Sequence, residues 1–168
     1  GSALDAAKAV ALLLANPGNS VSDLEDATHT NTHIKPRTMP LVAVPTTAGT
    51  GSEATTVTVI TDSVSHIKRL LVHESLMPDL AIIDACLMLG VPQNVTAATG
   101  MDALAHAIEA YVATGATSMT QALAYRAISL IGEALPIVVG NGNDVAARES
   151  MALASYMAGI AFSNAGLG

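Results

Sequence analysis

The spacing of apolar residues divides the chain into two parts of different character. Before Pro92, four short β-branched or apolar runs bounded by turn residues predict strands at 41–44, 55–60, 68–72 and 80–83. From about Asn94 onward apolar residues recur at helical spacing, which predicts helices at 94–113, 117–139 and 144–163. The pattern therefore predicts an α/β region at 1–93 followed by an all-α region at 94–168.

The amino-terminal residues predict one further helix. Ser2 and Asp5 open an Ala- and Leu-rich run that continues to Ala15, and the Asn-Pro-Gly-Asn sequence at 16–19 ends it. Residues 20–40 are polar and contain Pro36 and Pro40, so we predict a surface loop there.

Composition excludes several functional classes. Hydrophobic residues make up 51% of the 168 residues, which is enough to form a sizeable core, while the net charge of −7 with seven Lys and Arg argues against a nucleic-acid-binding protein. The single cysteine, Cys86, excludes an internal disulfide. Every long apolar stretch is interrupted by Pro, Gly or a charge and no basic leader opens the chain, so we expect a cytoplasmic protein with no membrane partner.

A carboxylate and an imidazole lie four residues apart in the first predicted helix of the all-α region. Asp102 and His106 share a helix face and could bind one metal ion together. Such a pair is more often a simple hydrogen-bonded pair, and the spacing leaves both interpretations open. His29 and His33 have the same spacing but lie in a polar, β-branched segment before Pro36, so we predict no metal role for them.

A second polar segment follows the first predicted strand. Residues 45–53, PTTAGTGSE, form a Thr- and Gly-rich loop of the kind that contacts phosphate. Thr46 and Thr47 could instead satisfy loop backbone groups, and Lys68 beside Arg69 could be a solvated charge at a sheet edge. Asp5 could be a capping carboxylate only.

Three segments in this order resemble the iron-containing (group III) alcohol dehydrogenase family, which includes lactaldehyde reductase and 1,3-propanediol dehydrogenase. They are GSALDAAK at 1–8, PTTAGTGSE at 45–53 and GMDALAHAIE at 100–109, and the spacing fits over essentially the whole chain. The resemblance implies part of a Rossmann-like dinucleotide-binding domain at 1–93. It also implies the first helices of a helical metal-binding domain at 94–168, in a dehydroquinate synthase-like fold.

The resemblance also implies roles for individual residues. Asp102 and His106 match two of the family's four ligands for Fe²⁺, or sometimes Zn²⁺. The positions that match contacts to NAD or NADP are Gly1, Ser2, Thr46, Thr47, Thr50 and Lys68. The implied reaction transfers a hydride between the nicotinamide and an alcohol or aldehyde whose oxygen the metal polarises.

The match also has consequences for what the chain can do alone. The family's other two metal ligands have no counterpart among the 168 residues, so we expect the isolated chain to be a poor catalyst and the longer protein to be a homodimer. The alternatives are a zinc-dependent polyol or glycerol dehydrogenase, a dehydroquinate-synthase-like lyase, and a non-catalytic helical fragment that packs against a partner. Metal content and cofactor binding distinguish them.

Overall fold

The computed structural model describes the backbone of residues 1–29 and 33–167, with the side chains of all of these except 26–29. The prediction that His29 and His33 have no metal role falls outside the described residues, because the side chain of His29 and residues 30–32 are not among them. The described residues form five α-helices and four strands in the order α1 Ser2–Ala15, α2 Val21–His29, β1 Val42–Ala43, β2 Val57–Thr61, β3 Lys68–Val72, β4 Leu80–Ala81, α3 Gln93–Val112, α4 Ser118–Gly140 and α5 Val145–Ala165.

Helix α1 is confirmed with the bounds that the sequence predicts. The loop predicted over 20–40 is wrong in its first half, because Val21–His29 is a helix. Its start is stabilised by a reciprocal pair of hydrogen bonds, in which the Ser20 N–H donates to Asp23 Oδ2 (2.7 Å) and the Asp23 N–H donates to Ser20 Oγ (3.2 Å). The fully buried Leu24 packs in one core with Leu12 of α1, so tertiary contact stabilises a helix that its polar sequence concealed.

The predicted strands are present but form two separate two-stranded sheets. Strands β1 and β4 are parallel, with Val42 opposite Leu80, and each is only two residues long. Strands β2 and β3 form an antiparallel hairpin in which Val57 pairs with Val72 and Thr61 pairs with Lys68. This hairpin packs against α1 and α2, so the first part of the chain is a short α/β region.

Helices α3, α4 and α5 pack against one another in all three pairings, and their bounds agree with the prediction to within two residues. Their common core consists mainly of alanines together with a few larger apolar side chains, namely Ala103, Ala107, Ala127, Leu130, Ile131, Ala134, Val138, Ala147, Met151, Ala154 and Ala158. Small side chains let helix backbones approach closely, which explains how an Ala-rich sequence forms a bundle.

Helix α4 is long and apolar enough to cross a membrane by length and composition alone, with a mean hydropathy of 1.6 over its most apolar window. The core helix of a soluble protein passes the same test. Seven of its residues, which include Ile131, Ala134 and Val138, are buried, and the helix packs against both α3 and α5. These contacts account for the apolar residues on its buried side.

Arg148 joins the helical bundle to the segment that precedes it. Its guanidinium donates to Thr96 Oγ1 (2.9 Å), to the Gly142 carbonyl (2.9 Å) and to the Val91 carbonyl (3.3 Å). The side chain lies in α5 and two of its three partners lie at or before the first turn of α3, so it fixes where α3 begins. Helix α3 is the one that carries Asp102 and His106.

The bundle core generates a first prediction. Ile131→Ala should lower the free energy of unfolding by about 2–5 kcal/mol, because it leaves a cavity among close-packed side chains. Ile137→Ala in the same helix, at a side chain that is 51% exposed, should cost less than about 1 kcal/mol. Urea unfolding followed by circular dichroism measures both, and equal losses in the two variants would contradict the packing described.

Candidate functional site

The Thr- and Gly-rich loop lies directly against the helix that carries the predicted metal ligands. A Cβ atom added at Gly49 would be 2.8 Å from Thr99 Cβ and 2.9 Å from the Thr99 carbonyl oxygen, distances that real side chains do not adopt. Thr99 precedes Asp102 by three residues, which is about one turn of α3. Only a glycine at position 49 allows the loop to lie this close to the turn of α3 that precedes Asp102.

The same loop also contacts α5 and the start of α1. Gly51 has a left-handed backbone with φ 61°, and a Cβ there would lie 2.8 Å from Gly159 Cα in α5. A Cβ at Gly1 would lie 2.7 Å from Thr50 Cγ2. The loop therefore meets the start of segment 1–8 and the residue of α3 directly before segment 100–109.

Asp5 joins α1 to the end of the loop. Its Oδ1 accepts a hydrogen bond from Ser52 Oγ (2.6 Å), and its backbone carbonyl accepts one from Thr58 Oγ1 (2.6 Å). The interpretation of Asp5 as a capping carboxylate is wrong, because the start of α1 has no side-chain cap hydrogen bond and the carboxylate binds Ser52. Its partners lie about fifty residues away in sequence, and nothing in the local pattern indicates them.

Lys8 is a residue of this site that the sequence analysis did not single out. Its side chain is 1% exposed, and Nζ donates to the Thr55 carbonyl (2.8 Å), Thr55 Oγ1 (3.0 Å), the Val57 carbonyl (3.0 Å) and the Ser52 carbonyl. Burial lowers the pKa of the Lys8 ammonium from its ordinary 10.5 to about 8, although the charges of Asp5 and Glu53 act to raise it. Its place in the segment 1–8 is the one feature of the sequence that relates Lys8 to this site.

Glu53 is a second buried ionisable group at the end of the loop, with 4% of its surface exposed. Burial raises the pKa of its carboxyl above the ordinary value, although its own backbone N–H, the amino terminus and Lys8 act to lower it. It lines a cavity of about 420 Å³ together with Tyr156 and Asn164 of α5. Its ionised form is therefore disfavoured by the protein around it.

Asp102 and His106 face each other on α3. The distance from Asp102 Oδ1 to His106 Nε2 is 3.8 Å, which is too long for a hydrogen bond. It is comparable to the roughly 3.0–3.5 Å between neighbouring ligands around a cation with bonds of 2.0–2.2 Å. The Asp102 side chain is 44% exposed and thus open to a ligand, while the His106 ring packs on Phe162 with 4.8 Å between ring centroids.

The second ring nitrogen of His106 adds to this picture. Nδ1 is buried and has no hydrogen-bond partner among the described residues, which leaves the ring held by packing and not by polar contacts. The residues present therefore fit two ligands of a divalent cation. Within the described part of the chain there is no group of three or more His, Cys, Asp or Glu that could complete the set.

The remaining predicted residues are distributed unevenly around the loop. Thr46 is exposed and Thr47 and Thr50 are half-buried on it, and Ser2 is exposed at the first turn of α1. Lys68 is exposed and pairs with Thr61, at the end of the hairpin about 13 Å along β2 from Val57. Gly1 thus meets Thr50 of the loop, whereas Lys68 lies at the opposite end of the hairpin from Val57.

Comparison with known families identifies the family of the chain. Residues 1–85 match the iron-containing alcohol dehydrogenase family, and residues 96–168 match the C-terminal part of the Fe-containing alcohol dehydrogenase family. The chain belongs to the iron-containing alcohol dehydrogenase family.

Individual relatives match over the whole chain. The chain is 61% identical over 168 residues to the probable alcohol dehydrogenase EutG of Salmonella typhimurium, of which it covers 41%. It is 52% identical to the NAD-dependent methanol dehydrogenase of Bacillus methanolicus, of which it covers 43%. The chain thus spans about two fifths of the length of these relatives.

Solved structures give the same result for the fold. The sulfoacetaldehyde reductase of Bifidobacterium kashiwanohense, determined in complex with NAD⁺, superimposes with a TM-score of 0.89 at 37% identity over 99% of this chain and 43% of its own. The alcohol dehydrogenase of Oenococcus oeni gives a TM-score of 0.89 at 40% identity, over 100% of this chain and 43% of its own. The short α/β region followed by helices matches part of the fold of this family.

Glu53 generates the second prediction. The folded state binds the Glu53 proton more tightly than the unfolded state, so this group's contribution to the free energy of unfolding falls as the pH rises from about 4.5. Glu53→Gln should therefore raise the free energy of unfolding at pH 7, and the gain should shrink as the pH falls to 4.

Urea unfolding at several pH values measures this effect. Glu149→Gln, at an exposed position of α5, is the matched control and should change little at either pH. A gain for Glu53→Gln that is the same at pH 4 and pH 7 would show that ionisation of Glu53 is not its cause.

Proposed function

We propose that this chain is the nicotinamide- and metal-binding portion of an alcohol dehydrogenase that transfers a hydride between NAD or NADP and a primary or secondary alcohol or its aldehyde. The observation that carries the proposal is the contact of Gly49 with Thr99, which brings the Thr- and Gly-rich loop within about one helical turn of Asp102. A cofactor on that loop and a metal at Asp102 and His106 would be neighbours. The family to which the chain belongs supports this reading.

The loop and the start of α1 supply the groups that a dinucleotide needs. Gly1 and Ser2 lie at the N-terminus of a fourteen-residue helix, where free backbone N–H groups and the helix dipole favour a phosphate. The exposed hydroxyl of Thr46 and those of Thr47 and Thr50 are available as hydrogen-bond donors along the loop. Lys68 would reach the ribose or nicotinamide side from the hairpin.

Asp102 and His106 would hold Fe²⁺ or Zn²⁺ through a carboxylate oxygen and an imidazole nitrogen. A bound divalent cation supplies Lewis-acid stabilisation of charge on a substrate oxygen. The packing of the His106 ring on Phe162 orients the imidazole, and the partial exposure of Asp102 leaves room for substrate. Residues outside these 168 would have to supply further ligands, so we expect the chain alone to bind metal weakly and to turn over poorly.

The proposal extends to the organisation of the longer protein. We propose a Rossmann-like dinucleotide-binding domain that includes residues 1–93 and a helical metal-binding domain that begins at residue 94, in a dehydroquinate synthase-like fold. The active cleft would lie between them, where the loop meets α3. We further propose that the protein is cytoplasmic and homodimeric.

The third prediction concerns the loop hydroxyl. Thr46→Val keeps the shape of the side chain and removes its hydrogen bond, which is worth about 1 kcal/mol, so the Kd for NADH or NADPH should rise roughly fivefold or more. Titration followed by nicotinamide fluorescence measures the Kd. Thr114→Val, at an exposed position between α3 and α4, should leave it unchanged. Equal affinity in both variants would remove Thr46 from the cofactor site.

The fourth prediction concerns the metal pair. His106→Ala should weaken Zn²⁺ binding by roughly tenfold or more, because one of two ligands is lost. Isothermal titration of the chain with Zn²⁺ provides the measurement. The control is His66→Asn, because His66 is exposed and its φ of 57° is one that Asn tolerates. Zn²⁺ affinity that is the same in the two variants would exclude His106 as a ligand.

A further inference from the structure

The hydride transfer proposed above assigns no role to the buried charge of Lys8. Its side chain extends from α1 into the protein, where 1% of its surface remains exposed. Lysine is almost never fully buried unless a partner compensates the loss of water. The contacts of its ammonium group therefore need an explanation beyond packing.

Those contacts are all with the end of the Thr- and Gly-rich loop and with the residues directly after it. The ammonium can donate three hydrogen bonds, and four oxygen atoms of Ser52, Thr55 and Val57 surround it. Three of the four are backbone carbonyls, so the interaction constrains the main chain itself. One cation thus ties α1, whose first residues are proposed to contact the cofactor, to the backbone at the end of the proposed cofactor loop.

Burial of this charge destabilises the folded protein. Its hydrogen-bond partners are neutral oxygens, and the carboxylates of Asp5 in α1 and Glu53 at the loop end act on it through space. A methionine would occupy a similar volume without the cost of removing a cation from water. A positive charge held behind a loop does, however, favour an anion bound in front of it.

Resting on the proposed function, we propose that Lys8 is a positioning residue for the cofactor. It holds the end of the Thr- and Gly-rich loop against α1, and its positive charge favours the anionic pyrophosphate of the dinucleotide. Nothing in the reaction itself requires Lys8 to touch the substrate or the nicotinamide. Its effect is on where the loop lies and on the potential at the loop.

The charge state of Lys8 provides the test, because burial lowers the pKa of its ammonium to about 8. The Kd for NADH of the 168-residue chain should rise about three- to tenfold between pH 7 and pH 9.5, as charge-assisted hydrogen bonds become neutral ones. Lys8→Met should bind NADH weakly already at pH 7, and its affinity should not change over this range. Lys35→Met, at an exposed lysine, should keep the wild-type profile.

The other charges near Lys8 need their own control. They are the carboxylates of Asp5 and Glu53, together with the amino terminus, whose charge acts on Glu53. Lys8→Met keeps all three groups, so any pH dependence of NADH binding that they cause remains in that variant. A folded Lys8→Met variant that binds NADH as tightly as the wild type at pH 7, or that keeps the wild-type pH profile, would overturn the proposal.

A second measurement follows the loop backbone directly and needs no variant. In nuclear magnetic resonance titrations of the wild-type chain, the backbone amide signals of residues 52–57 should shift with the same midpoint as the Lys8 Cε signal. If these amides follow Lys8 but NADH does not bind, the positioning of the loop stands and the proposed function of the chain fails. If NADH binds while the amides ignore the titration of Lys8, the positioning role is wrong and the proposed function stands.

Discussion

The close approach of the Thr- and Gly-rich loop to two helix backbones is the constraint on which the rest of this structure depends. Gly49 contacts Thr99 of α3, and Gly51 contacts Gly159 of α5, at distances that leave no room for a side chain on the loop. A methyl group at either point would push the loop away from the bundle. The two glycines therefore determine the distance between the proposed cofactor site and the metal pair.

Buried polar groups fix the loop from its other side. Asp5 accepts from Ser52, and Lys8 donates to Ser52, Thr55 and Val57, so the main chain after the loop is tied to α1 at several points. Burial also shifts the pKa of Lys8 downward and that of Glu53 upward, so both charged forms are held at a cost. Buried charges that destabilise the fold are typical of sites where function opposes stability.

The helical bundle provides the rigid half of the site. Its Ala-rich core lets α3, α4 and α5 lie close together, and Arg148 fixes the start of α3 against the segment before it. Asp102 and His106 thus lie on a helix that is held at its first turn by Arg148, at Thr99 by the loop and at His106 by Phe162. The two proposed ligands can thus be kept at a constant separation on this helix.

Local sequence determined the helices of the bundle, the helix at the amino terminus and the strand positions, because apolar periodicity and capping residues act within a few positions of one another. It also determined the Asp102 and His106 pair, since residues four apart on a helix must share a face. Helix α2 escaped prediction because its sequence is polar and its stability depends on the burial of Leu24 against α1, although the Ser20 and Asp23 cap is a local signal that could have found it. Only tertiary structure decided that Lys8 is buried and that Gly49 meets Thr99, because their partners lie more than forty residues away and no local pattern encodes such a contact.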